Sequence, residues 1–201
     1  MLMFEFLVTG GVLMIPLGVC SILALAIILE RTLNLRTQKI IQLDILQQVR
    51  DLVAENQVSD AMTLCRRYPS VMGRILLVTI ANHDREREEL RSVVEDAGRQ
   101  EVTTLDKNLG ALGTIAAISP LLGLTGTVFG MIRTFAIISE KGIAHPSQLA
   151  GGIYEALITT ATGLVIAIPT LIFYNYFTNK ADRLILEIEK HSYRVVETLK
   201  R

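Results

Sequence analysis

Residues 119–135 read "SPLLGLTGTVFGMIRTF". The stretch is apolar enough for lipid, yet it holds three glycines, three threonines and a proline, and it includes Arg133. Small and hydroxyl residues make a poor lipid-facing surface, so their arrangement decides the reading. Ala116, Pro120, Gly123, Thr127, Gly130 and Thr134 recur at intervals of four, three, four, three and four residues. That spacing keeps them on one face of a helix. The bulky Leu121, Leu122, Val128 and Ile132 fall mostly elsewhere. The segment predicts a membrane helix with one face of small and hydroxyl residues.

The composition fits a chain that is partly in a membrane. Of its 201 residues 50% are hydrophobic and 20% charged. It is more apolar than an ordinary soluble domain and more charged than a chain lying wholly in lipid. Three stretches lack charge for the roughly 20 residues that a spanning helix needs. They lie between Glu5 and Glu30, between Lys107 and Arg133 (with apolar sequence continuing to Ile138), and between Glu155 and Lys180. The first is not expected to be a cleavable signal, because no Lys or Arg precedes it and its apolar run is longer than a signal core. Basic residues near span ends set orientation. Arg31, Arg36 and Lys39 follow the first span, Arg99 and Lys107 precede the second, and Lys180 and Arg183 follow the third. The connection from Ile138 to Glu155 holds only Lys141. The expected order is a short periplasmic N-terminus and first span over 1–30, a cytoplasmic helical domain over 31–107, and a second span over 108–138. An outer loop over 139–155, a third span over 156–179 and a cytoplasmic C-terminal helix over 180–201 complete it.

The cytoplasmic segment reads as helical. "IIQLDILQQVRDLV" predicts an amphipathic helix with Ile41, Ile45, Val49 and Leu52 on one face. "SDAMTLCRRYP" predicts a helix capped by Ser59 and stopped by Pro69, followed by another over Val71 to Asn82. Leu90, Val94, Ala97, Val102, Leu105, Leu109 and Leu112 hold helical spacing, with Gly98 as a weak point. Phe177, Ala181, Leu184, Ile188, Val195 and Leu199 continue a stripe beyond the third span. These predict two long helices over 85–138 and 148–198, each about 75–80 Å long, extending past the membrane. The fold class is an all-α integral membrane protein with three spanning helices.

The third span repeats the small-residue pattern. Ala156, Thr160, Gly163, Ala167, Thr170 and Tyr174 follow the same intervals as the second-span set. Helix packing explains small residues, because they let backbones approach, and Gly126 to Gly130 has GxxxG spacing. The competing explanation is that the threonine faces line a narrow interior, where hydroxyls hold water or bond an inserted partner. The first span is richer in bulky aliphatics and is expected to be the most lipid-exposed. No Asp, Glu, Lys or His lies at mid-depth in any span. Ion pathways usually need an ionisable group there, so if the protein handles protons the titrating carboxylate is expected from another chain. Arg133 and Glu155, at the outer span ends and near one level, either pair or stand as two boundary residues facing water.

Several classes of function are disfavoured. Net charge is zero, which gives no basis for nucleic-acid binding. "GLTGTVFG" lacks the GK[ST] ending of a phosphate-binding loop and follows no strand. His83, His145 and His191 are far apart, without metal-ligand spacing, and Cys20 and Cys65 lie in dissimilar surroundings that disfavour a disulfide. No cofactor, metal or enzyme activity is expected.

"SPLLGLTGTVFGMIRTF" and "GIYEALITTATGLVIAIPTLIFYNYF" resemble the two signature segments of the ExbB/TolQ/MotA proton-channel family, nearest its ExbB and TolQ branches. "GGVLMIPLGVCSILALAIILERTLNLR" is similar to the ExbB-type first span with its terminal Glu-Arg. The resemblance implies a homo-pentamer in the bacterial inner membrane whose second and third spans surround a pore. It implies an ExbD-like single-span dimer in that pore, carrying the proton on an aspartate, and work done on a TonB-like protein for outer-membrane import. It implies that Thr127 and Thr160 face the pore, with Glu155 in the ion pathway. Ala116, Pro120, Gly123, Gly130, Ala156, Gly163 and Ala167 would be pore-face packing residues. Arg133 stands where some relatives are uncharged. Proton is preferred over sodium as the ion. Membrane lipid is the remaining expected partner. The alternatives are a TolQ-like role with a TolA-like protein in envelope integrity, a structural membrane scaffold without ion flux, and a self-sufficient ion channel.

Overall fold

The structure is a computed structural model, described here for residues 11–141 and 146–200. Among these residues all regular structure is helical: α1 (Met14–Asn34), α2 (Thr37–Ile40), α3 (Leu43–Ala54), α4 (Val58–Arg67), α5 (Val71–Ala81), α6 (Arg87–Leu105), α7 (Leu109–Lys141) and α8 (Pro146–Leu199). Three helices, α1, α7 and α8, are long and apolar enough to cross a membrane. The chain divides into two compact units. The first takes α1 up to Glu30 and residues Asn108–Tyr176; the second takes Arg31–Lys107 and the chain from Phe177.

In the first unit α1 buries only a narrow stripe, Met14, Leu17, Cys20 and Ala24, and leaves Ile15, Val19, Ile22 and Leu29 exposed. Of its apolar window 28% is buried, against 33% for α7 and for α8, so it is the most exposed of the three within the single chain. Helices α7 and α8 run antiparallel, as their successive meeting points show: Gly113 with Tyr174, Gly123 with Thr160, Gly130 with Ala156. Both are interrupted in sequence by proline, Pro120 and Pro169, yet neither helix ends there. Proline removes one intrahelical bond and crowds the preceding turn. The carbonyls that lose their amide partner are those of Ala116 and Val165; the neighbouring hydroxyls bond the carbonyls beside these, Ser119 Oγ to Ile115 O at 2.7 Å and Thr170 Oγ1 to Ile166 O at 2.6 Å.

In the second unit short helices pack apolar faces together. Two sequence expectations shift here. The helix expected from Ile41 begins at Leu43, and its buried face is Leu46, Val49 and Val53, with Ile45 and Leu52 on the flank. Adjacent apolar pairs, Ile45–Leu46 and Leu52–Val53, let the face rotate by one residue without loss of burial. Asn56, at φ +61°, ends this helix: its N–H reaches Val53 O and the Gln57 N–H reaches Leu52 O, at 3.1 and 2.8 Å. This is a Schellman closure with Asn in the left-handed position. Ser59 is not the cap of α4. The helix starts at Val58 with Gln57 before it, and the Ser59 carbonyl already accepts from Thr63 Oγ1. Ser70 caps α5 instead, accepting from the Gly73 N–H at 3.0 Å. The chain from Phe177 keeps its expected stripe: Phe177, Ala181, Leu184, Ile188 and Val195 are buried, joined by Ser192 and Val196. Cys65 lies in this core as a free thiol, and burial pushes its pKa up to about 11.

The continuous helix expected over 85–138 is broken. Helix α6 stops at Leu105, and α7 begins at Leu109 after a turn in which Asn108 has φ +62°. Asparagine adopts that conformation more readily than other non-glycine residues. Asn108 O accepts the first bond of α7 from the Leu112 N–H, and its side-chain amide donates to Glu30 Oε2 at 2.8 Å. At the other side of the turn the buried Arg31 donates from Nη1 to Leu105 O at 3.2 Å, taking one of the end carbonyls of α6. Burial first, and then the charge of Asp182, raise the Asp106 pKa.

Candidate functional site

The α7–α8 seam is built on missing side chains. A Cβ at Gly123 would stand 3.0 Å from Thr160 Cα, and one at Gly163 would stand 2.5 Å from Ser119 O and 3.1 Å from Gly123 Cα. A Cβ at Gly130 would lie 2.9 Å from that of Ala156. Such approach is available only to small residues, and in lipid it replaces the hydrophobic drive that holds soluble helices together. Of the predicted face residues, Ala116, Gly123, Gly130, Ala156, Gly163 and Ala167 are buried and Pro120 is half-buried.

The hydroxyls along this seam divide into two kinds. Thr125, Thr134, Thr159, Thr162 and Thr170 donate to the carbonyl four residues earlier in their own helix. Thr127 does likewise to Leu124 O, three residues back, at 2.7 Å. This is how a hydroxyl is satisfied where water is scarce. Thr160 differs: its Oγ1 donates across the seam to Gly123 O at 2.9 Å. Thr127 is half-buried and lines an open apolar groove on α7 with Val128, Met131, Ile132 and Phe135. The two threonines that the family resemblance assigns to a pore thus have different surroundings in the single chain.

Glu155 and Arg133 come together at one end of the seam. Arg133 Nη1 lies 3.7 Å from Glu155 Oε2, with the arginine 74% exposed and the glutamate 29%. An ion pair that open contributes little to stability, about 0–1 kcal/mol, so its importance is positional. The pair borders a cavity of about 370 Å³ whose other walls include Gly11, Val12, Leu13, Phe129 and Thr159. Among the described residues no His, Cys, Asp or Glu cluster suited to a metal occurs.

Four residues make contacts that the sequence reading did not assign: Gly126, against the Thr159 side chain; Gly152, against Thr134; Ser119, fully buried against Gly163; and Gly11, against Glu155. Gly126 was visible as half of a GxxxG pair. The others depend on which residues meet across the seam, which intervals within one helix do not specify.

These features define an all-helical protein with three candidate membrane spans, two of them joined through a seam of glycine, alanine and threonine. A profile of the MotA/TolQ/ExbB proton channel family matches residues 67–190, and the chain belongs to that family. It is 35% identical over 170 residues to the biopolymer transport protein ExbB-like 3 of Synechocystis, covering 84% of this chain and 81% of that one. It is 32% identical over 185 residues to the biopolymer transport protein ExbB of Salmonella typhimurium, covering 83% and 72%. It is 42% identical over 88 residues to the Tol-Pal system protein TolQ of Haemophilus influenzae, covering 44% and 39%.

Proposed function

We propose that the chain is an ExbB-like subunit of a proton-driven motor in the bacterial inner membrane. Several copies, five by the family resemblance, surround the single spans of an ExbD-like dimer whose aspartate carries the proton. The assembly energises a TonB-like protein for outer-membrane import. One observation carries this reading: α7 and α8 meet through a hydroxyl-bearing seam that contains no Asp, Glu, Lys, Arg or His between Lys107 and Arg133 or between Glu155 and Lys180. A family of proton channels whose member lacks an intramembrane carboxylate requires a partner that supplies one. Thr127 and Thr160 are the hydroxyls assigned to the pathway, with Glu155 at its outer end. The span and breadth of the matches to proteins named ExbB favour import. The local identity to TolQ keeps a Tol-Pal role as the second reading, with a TolA-like protein in place of the TonB-like one. Co-purification with one or the other partner separates them.

The Thr160 hydroxyl provides the test. Thr160→Val keeps the shape and removes the donor to Gly123 O. Packing should lose little, about 0.6 kcal/mol by analogy with other membrane hydrogen bonds. Driven import should fail while protein level and assembly persist, and Thr160→Ser should restore it. Siderophore-dependent growth unchanged in Thr160→Val would leave the seam as packing alone, which is the scaffold alternative.

A further inference from the structure

Gly11 is the residue through which the chain enters α1. Its φ is +71°, a left-handed conformation, and its carbonyl accepts from the Met14 N–H at 3.1 Å. A Cβ built on it would overlap Glu155 Oε1, with Glu155 Cδ at 3.4 Å and Cγ at 3.9 Å. The whole end of the glutamate side chain therefore lies against the bare α-carbon of Gly11. The other carboxylate oxygen, Oε2, faces Arg133. Glu155 is thus held between the turn Gly11–Leu13 that leads into α1 on one side and α7 on the other, at the edge of the 370 Å³ cavity that this turn, α7 and α8 line.

We propose that Gly11 is a positioning residue for Glu155: the absent side chain leaves the place that the carboxylate occupies when it faces Arg133. The role of Glu155 itself rests on the reading under Proposed function. The position favours a carboxylate because the guanidinium of Arg133 stands opposite it. Any other residue at position 11 would have to accept the left-handed backbone and would also drive the carboxylate out of this place. The link gives the turn that leads into α1 a part in the site. Gly18, within α1, has nothing within 4 Å of its would-be Cβ and serves as the control.

The test uses the full chain, purified with its retained partner, and compares Gly11→Ala, Gly11→Asn and Gly18→Ala. The first readout is independent of driven work: the rate at which Glu155 is modified by a carbodiimide, followed by mass spectrometry. Gly11→Ala and Gly11→Asn should both raise that rate severalfold, because either Cβ pushes the carboxylate into the cavity; Gly18→Ala should leave it unchanged. Asparagine tolerates positive φ, so a normal rate in Gly11→Asn beside an altered one in Gly11→Ala would mean that backbone conformation alone matters, and the proposal falls. An unchanged rate in both also overturns it. The second readout is driven import. In the Glu155→Asp background the carboxylate is one methylene shorter and withdraws from Gly11, so adding Gly11→Ala should change neither readout further; an equal additional loss overturns the positioning role. If the single Gly11→Ala chain fails to accumulate, Gly11→Asn, which tolerates the positive φ, carries the comparison alone and in the Glu155→Asp background. A changed modification rate with unaffected import would uphold the positioning of Glu155 and remove it from the ion pathway.

Discussion

A methyl group at Gly163 would lie 2.5 Å from the Ser119 carbonyl, whereas one at Gly98 would meet nothing within 4 Å. The same substitution should therefore have opposite signs at the two sites. Gly163→Ala forces α7 and α8 apart and should cost about 1–3 kcal/mol, read as a lower melting temperature in detergent. Gly98→Ala, in the interior of α6, removes a flexible residue from a helix and should gain about 0.5–1 kcal/mol. Equal shifts at the two positions would show that the close approach at Gly163 does not hold the pair. The contrast marks what the sequence can say at this scale. Gly163 was legible as part of a repeating small face, since the four-three interval selects one side of a helix. The contact of Gly11 with Glu155 was not, since nothing in either local sequence encodes a meeting of residues so far apart along the chain.

Among the elements, the long apolar helices were the most legible, because a charge-free run of spanning length has few other uses. The break between α6 and α7 was hidden for a physical reason. Leu105, Leu109 and Leu112 keep helical intervals across it, and a single left-handed asparagine breaks the helix without a glycine or proline in the turn to announce it. Asn108 supplies two things there, a tolerated positive φ and a hydrogen bond to Glu30. Asn108→Ala loses both and should lower the melting temperature, with about 1–2 kcal/mol from the backbone term alone. Asn108→Gly restores the backbone freedom while still lacking the amide, and should recover most of that loss. If Asn108→Ala instead matched or exceeded the native melting temperature, α6 and α7 would join readily into one helix and the turn would not depend on Asn108. The one-residue rotation of α3 belongs to the same scale: paired apolar residues leave two adjacent faces equally suited to burial, and only packing against the neighbouring helices selects one.

For the whole molecule, the division of the chain follows its charges. Arg31–Lys107 and the chain from Phe177 form the unit rich in charged residues, while the other unit carries the three apolar runs. The expectation from such alternation is a crossing of the bilayer at each apolar run, with the basic residues setting the direction. Arg31, Arg36, Lys39, Arg99, Lys107, Lys180 and Arg183 all fall on the same side of that alternation, so the positive-inside tendency gives one answer at every span. Single cysteines in a chain carrying Cys20→Ala and Cys65→Ala test it. With a membrane-impermeant maleimide on intact cells, Gly151→Cys should be labelled, whereas Asp84→Cys and Glu187→Cys should be labelled only after the membrane is opened. All three positions are exposed in the folded chain, so a lack of labelling on intact cells reports the membrane and not burial. The reversed pattern would place Glu155 and Arg133 at the cytoplasmic face and would exclude a periplasmic entrance at their cavity. Labelling of Asp84→Cys and Gly151→Cys together on intact cells would mean that α7 does not span, and the three-span reading would fall with it.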